Sequence, residues 1–484
     1  MGSQAPSLTV VVTRCDSARK EKTGEDFSVS RTTAGLLLGA LLVLLALTFK
    51  PGVENDGIGY FAYLHSVVVD HDLDFTDEYQ AVKAEGISYF PALVETRTST
   101  GLLADFFPVG PALLASPAYL LTLAARPSAE PQYGPPFSTV LSLVSLLLGL
   151  LALALTQRLA AAVTNPAAAG AGVAGAALAT PFLYYLLYEP SYSHTFSAFA
   201  VAAFLYLWWR GRDRRTAAGW LALGLVGGLM GLIRYQDGPL LLIGFLDRPR
   251  RPWHLLVFVA AALLAFAPQL AVDRVLFGGW LPERPPDQAL QFFPGHYLDV
   301  LFSSDHGLFS WTPIALLAVA GYWFLPDRRL QLAAGYALLV EVVLSGAAPD
   351  WFGGFSFGMR RFLALTPFFA IGLAALAGRV GPPLRWGAVT LFSAWNLVLM
   401  TNFTYVIASS ADPGYRRLLT GQLRGIAYLP HLLSQGGAGR ALLLWPLLHL
   451  RFDPLYGLGL LAGEAACLAL AVLVWRRLPV PRRN

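Results

Sequence analysis

Twelve apolar runs, dispersed from residue 34 to residue 475, constrain this chain more than any other feature. They lie near 34–49, 136–156, 166–187, 195–209, 217–233, 238–246, 253–272, 307–325, 330–346, 361–378, 386–403 and 455–475. A soluble domain gathers its apolar residues into one core, whereas runs repeated along the whole chain have a bilayer as their solvent. Composition agrees: 55% of the residues are hydrophobic and 13% charged, with mean hydropathy +0.54, and soluble domains carry about twice that charge. The expectation is an all-α, polytopic membrane protein of about 12 spans. Several runs, 238–246 among them, fall short of the roughly 20 residues a span needs, so they are tilted interior elements or have different boundaries.

Charge sets the expected topology. Residues 1–33 carry Arg14, Arg19, Lys20, Lys22 and Arg31 and precede the first run, which has no small-residue cleavage pattern after it. This predicts an uncleaved first span with a cytoplasmic tail. The stretch 106–124 is long enough to cross but is interrupted by Pro108, Gly110, Pro111 and Pro117. If it does not cross, 21 of the 35 basic residues fall inside; if it does, 16 fall inside and 19 outside. The positive-inside rule therefore makes it a re-entrant or juxtamembrane helix. The first outer loop then runs from 50 to 135, both termini are cytoplasmic, and that loop holds 11 of the 30 acidic residues. Any chemistry is expected on the outer side. The balance of 35 basic against 30 acidic residues is a topology signal and offers no support for nucleic-acid binding. Cys15 and Cys467 are too few for a disulfide framework or a metal cluster.

Directly after the first run stands Val53-Glu54-Asn55-Asp56-Gly57-Ile58-Gly59-Tyr60. An acid opening a helix at the membrane boundary, with Tyr60 one turn on, suits a general base beside a lipid head group. The same residues suit an Asn55 or Asp56 cap on a short helix from about 57 to 69. Spacing does not choose between these. Asp70-His71-Asp72-Leu73-Asp74 offers hard oxygen ligands at alternate positions, but no glycine-bearing calcium loop follows, so a solvated helix end is expected and no metal is assigned. Glu341 and Glu464 sit inside apolar runs and should face the bundle interior or lie near an end of a span. There is no phosphate-binding Gly-Lys-Ser or Gly-Lys-Thr loop, no His-Glu-x-x-His and no Gly-x-Ser-x-Gly elbow.

The ordered set of a first span, Asp56 with an aromatic four residues on, a large first loop ending in Phe107-Pro108-Val109-Gly110-Pro111, and Arg360-Arg361-Phe362 opening a late span resembles the C-type (GT-C) membrane glycosyltransferases. The protein O-mannosyltransferases and lipid A aminoarabinose transferases are nearest in pattern. The resemblance covers residues 34 to about 378, a transmembrane catalytic module, and thins over 379–484, where the outer segment 404–454 matches nothing nameable. It implies that Asp56 is the catalytic base, although Gly57 stands where the family usually has a second acid. It implies a substrate pocket including Tyr60, with His194 near the family's acidic position at the fourth span and Glu189 just before it. For these the alternative is a capping turn with an interfacial histidine. Arg360 and Arg361 are expected to hold the donor phosphate, since a planar guanidinium grips a leaving group whose charge grows; helix-end snorkelling is the other reading. Arg234 either joins them or pairs with Asp237. Asp305 reads as a helix N-terminal charge.

The function implied is transfer of a sugar, hexosyl or pentosyl, from a polyprenyl-phosphate donor to an acceptor hydroxyl on the extracytoplasmic face of a bacterial plasma membrane. It is expected to invert the anomeric centre and to need no nucleotide or assigned cofactor. The acceptor is a glycan, a glycolipid or a protein. A transporter or flippase of lipid-linked sugars, and a non-catalytic assembly partner, are the rivals. The first of these predicts coupling acids in mid-membrane and matching halves, whereas this sequence concentrates its acids in one outer loop and shows no matching halves.

Overall fold

In an apolar surround every backbone amide must find its partner within its own segment, and this chain meets the requirement with helices. The computed structural model describes residues 48–87, 89, 91–126, 134–212, 214–282, 289–354, 356–403, 414–434 and 453–481. In chain order the principal helices are α1 (Asp56–His65), α2 (Thr76–Ala84), α3 (Gly110–Ala125), α4 (Phe137–Val163), α5 (Pro166–Leu178) and α6 (His194–Gly211). After them come α7 (Ala217–Ile233), α8 (Trp253–Phe277), α9 (Arg328–Ala347), α10 (Thr366–Ala377), α11 (Pro382–Asn402), α12 (Gly414–Ser434) and α13 (Pro454–Arg477). Among the described residues there is no strand, and one isolated bridge joins Arg97 to Leu103.

Polar side chains start several of these helices. Asn165 Oδ1 accepts from the Ala168 amide at 2.9 Å ahead of Pro166, Thr216 accepts from Gly219, Asp327 from Arg329 and Leu330, and Asp453 from Tyr456. Each such bond serves one of the amides that a helix N-terminus leaves unpaired. The bundle is built by packing α7 on α8, α5 on α10, and α4 on both α6 and α13.

Five described helical segments are long and apolar enough to cross a membrane: α4, α8, α9, Arg360–Ala377 and α13. The protein is an integral membrane protein, but the twelve expected spans do not appear as twelve long helices. The run 166–187 is divided at Pro181 between α5 and Phe182–Leu187. The run 307–325 is divided at Pro313 between Leu308–Trp311 and Ile314–Tyr322. Proline removes a donor and crowds the preceding turn, so both interruptions have a local cause. The short run 238–246 belongs to a 12-residue 3-10 helix, Tyr235–Leu246. At about 2.0 Å per residue it reaches roughly 24 Å, farther than the same residues would as an α-helix. Helix α3 has 16 residues, about 24 Å, short of the ~30 Å hydrocarbon core. It packs against α1 and α4. Of the first run, all but the last two residues lies outside the described part of the chain, as do most of 404–454 on either side of α12.

Candidate functional site

Four segments distant in sequence meet at one end of the bundle: the start of α1, the turn 188–193 leading into α6, the residue closing α7, and the glycine-rich stretch entering Arg360–Leu365. Helix α1 begins at Asp56 after Asn55, whose φ of 49° is unusual for a residue with a side chain. Asn55 makes no side-chain capping bond to the helix, so the capping reading of Asn55 does not hold. Burial of the rest of α1, from Gly57 to His65, fixes the helix against its neighbours.

Arg360 Nη1 donates to Asp56 Oδ2 at 2.5 Å, across 304 positions of sequence. Both side chains keep some exposure, 15% and 14%. The Arg360 guanidinium also lies 5.5 Å from the centre of the Tyr192 ring. Its neighbour Arg361 turns elsewhere, to Asp350 Oδ2 at 2.6 Å. The two arginines stand in a 3-10 helix, in which successive side chains are about 120° apart, so adjacency in sequence separates their forks. Arg234 Nη1 donates to His194 Nδ1 at 3.2 Å, and His194 is within electrostatic reach of Arg234, Arg360 and Arg361 together. Of the two alternatives for Arg234, side-chain hydrogen bonding to Asp237 is not seen among the described residues; that carboxylate accepts from Ser197 at 2.5 Å.

Tyr60 is buried and its hydroxyl donates to Ser193 Oγ at 2.8 Å. Burial first, and then the nearby Asp56 charge, hold its phenol above the ordinary range. Glu189 accepts from the Tyr184 hydroxyl at 3.2 Å, and burial raises its carboxyl above the usual carboxylate range. His194 stacks edge-on against Tyr185, with centroids 4.5 Å apart. Beneath the site, Gln236 donates both to the Arg361 carbonyl and to Glu341 Oε2, each at 2.9 Å. Glu341 is thus buried inside the bundle, as expected, and joined to the site by one amide. Asp305 does not open a helix; it sits between Asp299–Phe302 and Leu308–Trp311 and bonds His306 at 2.7 Å.

Gly57 has a steric reason. A Cβ there would lie 2.2 Å from Ser191 Oγ and 2.7 Å from Ser191 Cβ, closer than real atoms approach. A second acid next to Asp56 would require Ser191, and with it the turn before α6, to shift away from α1. Gly59 is similarly hemmed by Asp105 Oδ2 at 2.8 Å and by the Phe107 ring. Asp105, with Oδ1 accepting from the Phe107 amide, is pushed up to about 7 by burial, against the opposing hydrogen bonds from Phe107 and Tyr79.

The sequence reading missed Ser191, Ser193, Gln236 and Asp350. The string Tyr188-Glu189-Pro190-Ser191-Tyr192-Ser193-His194 held a signal in its alternating small hydroxyls, which its tyrosines obscured by suiting an interfacial belt equally well. Nothing in the spacing pointed to Gln236 or Asp350.

No family model and no curated protein matches the chain. Solved structures do, two of ArnT among them. ArnT from Cupriavidus metallidurans in the apo state aligns with a TM-score of 0.51 at 17% identity, covering 91% of this chain and 76% of that one. ArnT from the same organism bound to undecaprenyl phosphate aligns with a TM-score of 0.50 at 16% identity, covering 92% and 79%. At such identity the likeness is one of fold. The chain has the all-helical membrane fold of ArnT, a lipid A aminoarabinose transferase, and so resembles the GT-C glycosyltransferases in architecture as well as in the order of its sequence features.

Proposed function

We propose that this protein transfers a sugar from a polyprenyl-phosphate donor to an acceptor hydroxyl at the extracytoplasmic face, with Asp56 as general base and Arg360 as the principal phosphate ligand. The observation that supports this most is the partly exposed Asp56–Arg360 pair at 2.5 Å, with Arg234 and His194 beside it. A carboxylate within hydrogen-bond reach of an acceptor takes its proton as the acceptor oxygen bonds the anomeric carbon. The bond from that carbon to the phosphate oxygen breaks, and the electron pair leaves with the prenyl phosphate. Guanidinium groups stabilise the charge that grows there. In this reading the donor phosphate draws Arg360 away from Asp56, so lipid binding frees the base that the acceptor meets. Arg234 assists the phosphate, and Tyr60, Glu189 and His194 border the sugar. Arg361, engaged by Asp350, helps through its charge. One displacement inverts the anomeric centre.

The test uses the full chain in nanodiscs, a labelled prenyl-phosphate sugar and a membrane extract as acceptor source. Asp56→Asn is expected to cut release of prenyl phosphate by about 10²–10⁴-fold, the contribution typical of general-base catalysis, while donor binding persists. Normal turnover by Asp56→Asn would overturn the base assignment. Donor binding without release by the wild type would favour a lipid-linked sugar carrier.

A further inference from the structure

Away from the Asp56 site, the far end of α1 changes its winding. Residues Ser66–Asp70 form a π-helical turn that ends at His71 in the left-handed region, φ 60° and ψ 32°. Isolated π turns are uncommon and favour functional places. Its effect here is specific: His65 and Asp70 are five residues apart, a spacing that an α-helix turns about 140° away from alignment and that a π turn brings onto one face. Asp70 Oδ2 lies 3.2 Å from His65 Nδ1. Glu78, on α2, presents Oε1 to the same nitrogen at 2.9 Å. One ligand atom from each of the three residues lies within 4.8 Å of the other two.

Proton chemistry leaves this cluster unbalanced. A single imidazole N–H is one donor, and it faces two carboxylate oxygens. Glu78 is fully buried, and its Oε2 has no hydrogen-bond partner among the described residues. A desolvated carboxylate with half its capacity unmet is costly, and buried native carboxylates are ordinarily satisfied. Two carboxylates and one imidazole nitrogen form a ligand set for a divalent cation. Their spacings of 2.9 and 3.2 Å lie within the edges, about 2.8–3.6 Å, of octahedral and tetrahedral shells with ~2.0–2.2 Å bonds. Asp70, with its side chain 36% exposed, gives an ion a way in from water.

We propose that His65, Asp70 and Glu78 bind a divalent cation of borderline hardness, Zn²⁺ or Mn²⁺, at a site separate from Asp56. The donor set is too oxygen-rich for a soft ion and, with its imidazole, less suited to Mg²⁺ or Ca²⁺. His65 is nine residues along the helix from Asp56, about 13 Å by helical rise, so the ion does not touch the reacting atoms. It ties α1, which carries Asp56 and Tyr60, to α2. The sequence had grouped Asp70 with His71, Asp72 and Asp74. In the structure Asp72 Oδ1 accepts from Ser66 and Asp74 Oδ1 from Thr76, and Asp70 alone of the four joins the cluster.

The experiment is equilibrium dialysis of the full-length, tag-free protein after chelation, with Zn²⁺, Mn²⁺ and Mg²⁺ offered separately and metal counted by mass spectrometry. One equivalent of Zn²⁺ or Mn²⁺ per chain is expected, with Mg²⁺ at least tenfold weaker. The thermal midpoint should rise on adding the bound metal. Asp70→Asn, at a partly exposed position that tolerates the change, should weaken binding at least tenfold and remove the thermal shift; Glu78→Gln should do the same. Absence of stoichiometric binding by folded wild type, or binding unchanged in Asp70→Asn, would overturn the site. The readout is metal and not turnover, so it stands or falls apart from the transferase reading.

Discussion

Helix α6 joins two arginine–carboxylate regions that use the same chemistry differently. Beyond its C-terminal end, Arg215 donates to the carbonyls of Leu207 and Trp208 and to Asp247 Oδ2, at 3.0, 2.7 and 2.7 Å, with the Trp220 ring 5.1 Å away. Its side chain is 4% exposed and that of Asp247 1%. Arg212 nearby bonds Asp327, itself the cap of α9, and lies over the Trp209 ring. At the N-terminal end, Arg360 bonds one carboxylate and retains solvent contact. A guanidinium buried and held by two carbonyls, a carboxylate and an indole is a fastening. One held by a single, partly exposed carboxylate, with the Tyr192 ring beside it, keeps donors that an incoming anion can meet.

That contrast breaks most readily at Asp247. Asp247→Asn leaves the Arg215 charge buried beside a neutral partner and should cost about 3–5 kcal/mol, the range for breaking a buried pair. The readout is thermal unfolding in detergent, with specific activity of the surviving folded protein preserved. Arg360→Met should behave in the opposite way. Transfer falls about 10²–10³-fold, the loss typical when one charge-stabilising donor is removed, and the thermal midpoint stays near wild type. A large drop in midpoint for Arg360→Met would make both ends fastenings and end the distinction. A third test concerns the acid beneath α1, whose effect is spread over several pH units. Asp105 is held near 7, above the 3.8 of a free aspartate, so between those values the folded chain keeps a proton that the unfolded chain lacks. Stability then falls as pH rises from about 4 toward 7 and levels above it. Midpoints measured between pH 4.5 and 8 should show that slope in the wild type, and Asp105→Asn should make it shallower.

Much of the architecture was legible because a bilayer imposes long apolar helices, and α4, α8 and α13 stand close to the runs that foretold them. The interruptions were legible only in part. Pro181 and Pro313 were visible, but a proline in a membrane helix is often tolerated, and the break becomes certain only when neighbours are seen. The 3-10 winding of Tyr235–Leu246 left no mark in the periodicity. Asp56 and Arg360 were singled out through the order of features in a family the sequence resembles, since nothing local in the sequence connects residues 304 apart, and the structure brings them into contact. Pairing Arg361 with Arg360 followed adjacency, which a 3-10 turn undoes. The cluster at His65 was hidden by the opposite error: its members are spaced by five and thirteen residues, and a run of contiguous acids drew attention from them.

The 18 residues of α6 also act as a ruler. They set about 27 Å between the fastened end and the open one, and they set an angle as well as a length. One residue inserted in the helix would advance His194 by about 1.5 Å and swing it through roughly 100° relative to the anchored arginines. The imidazole would leave Arg234 while every contact at the far end survived. Register between these two ends is therefore written into the count of residues and not into any single side chain.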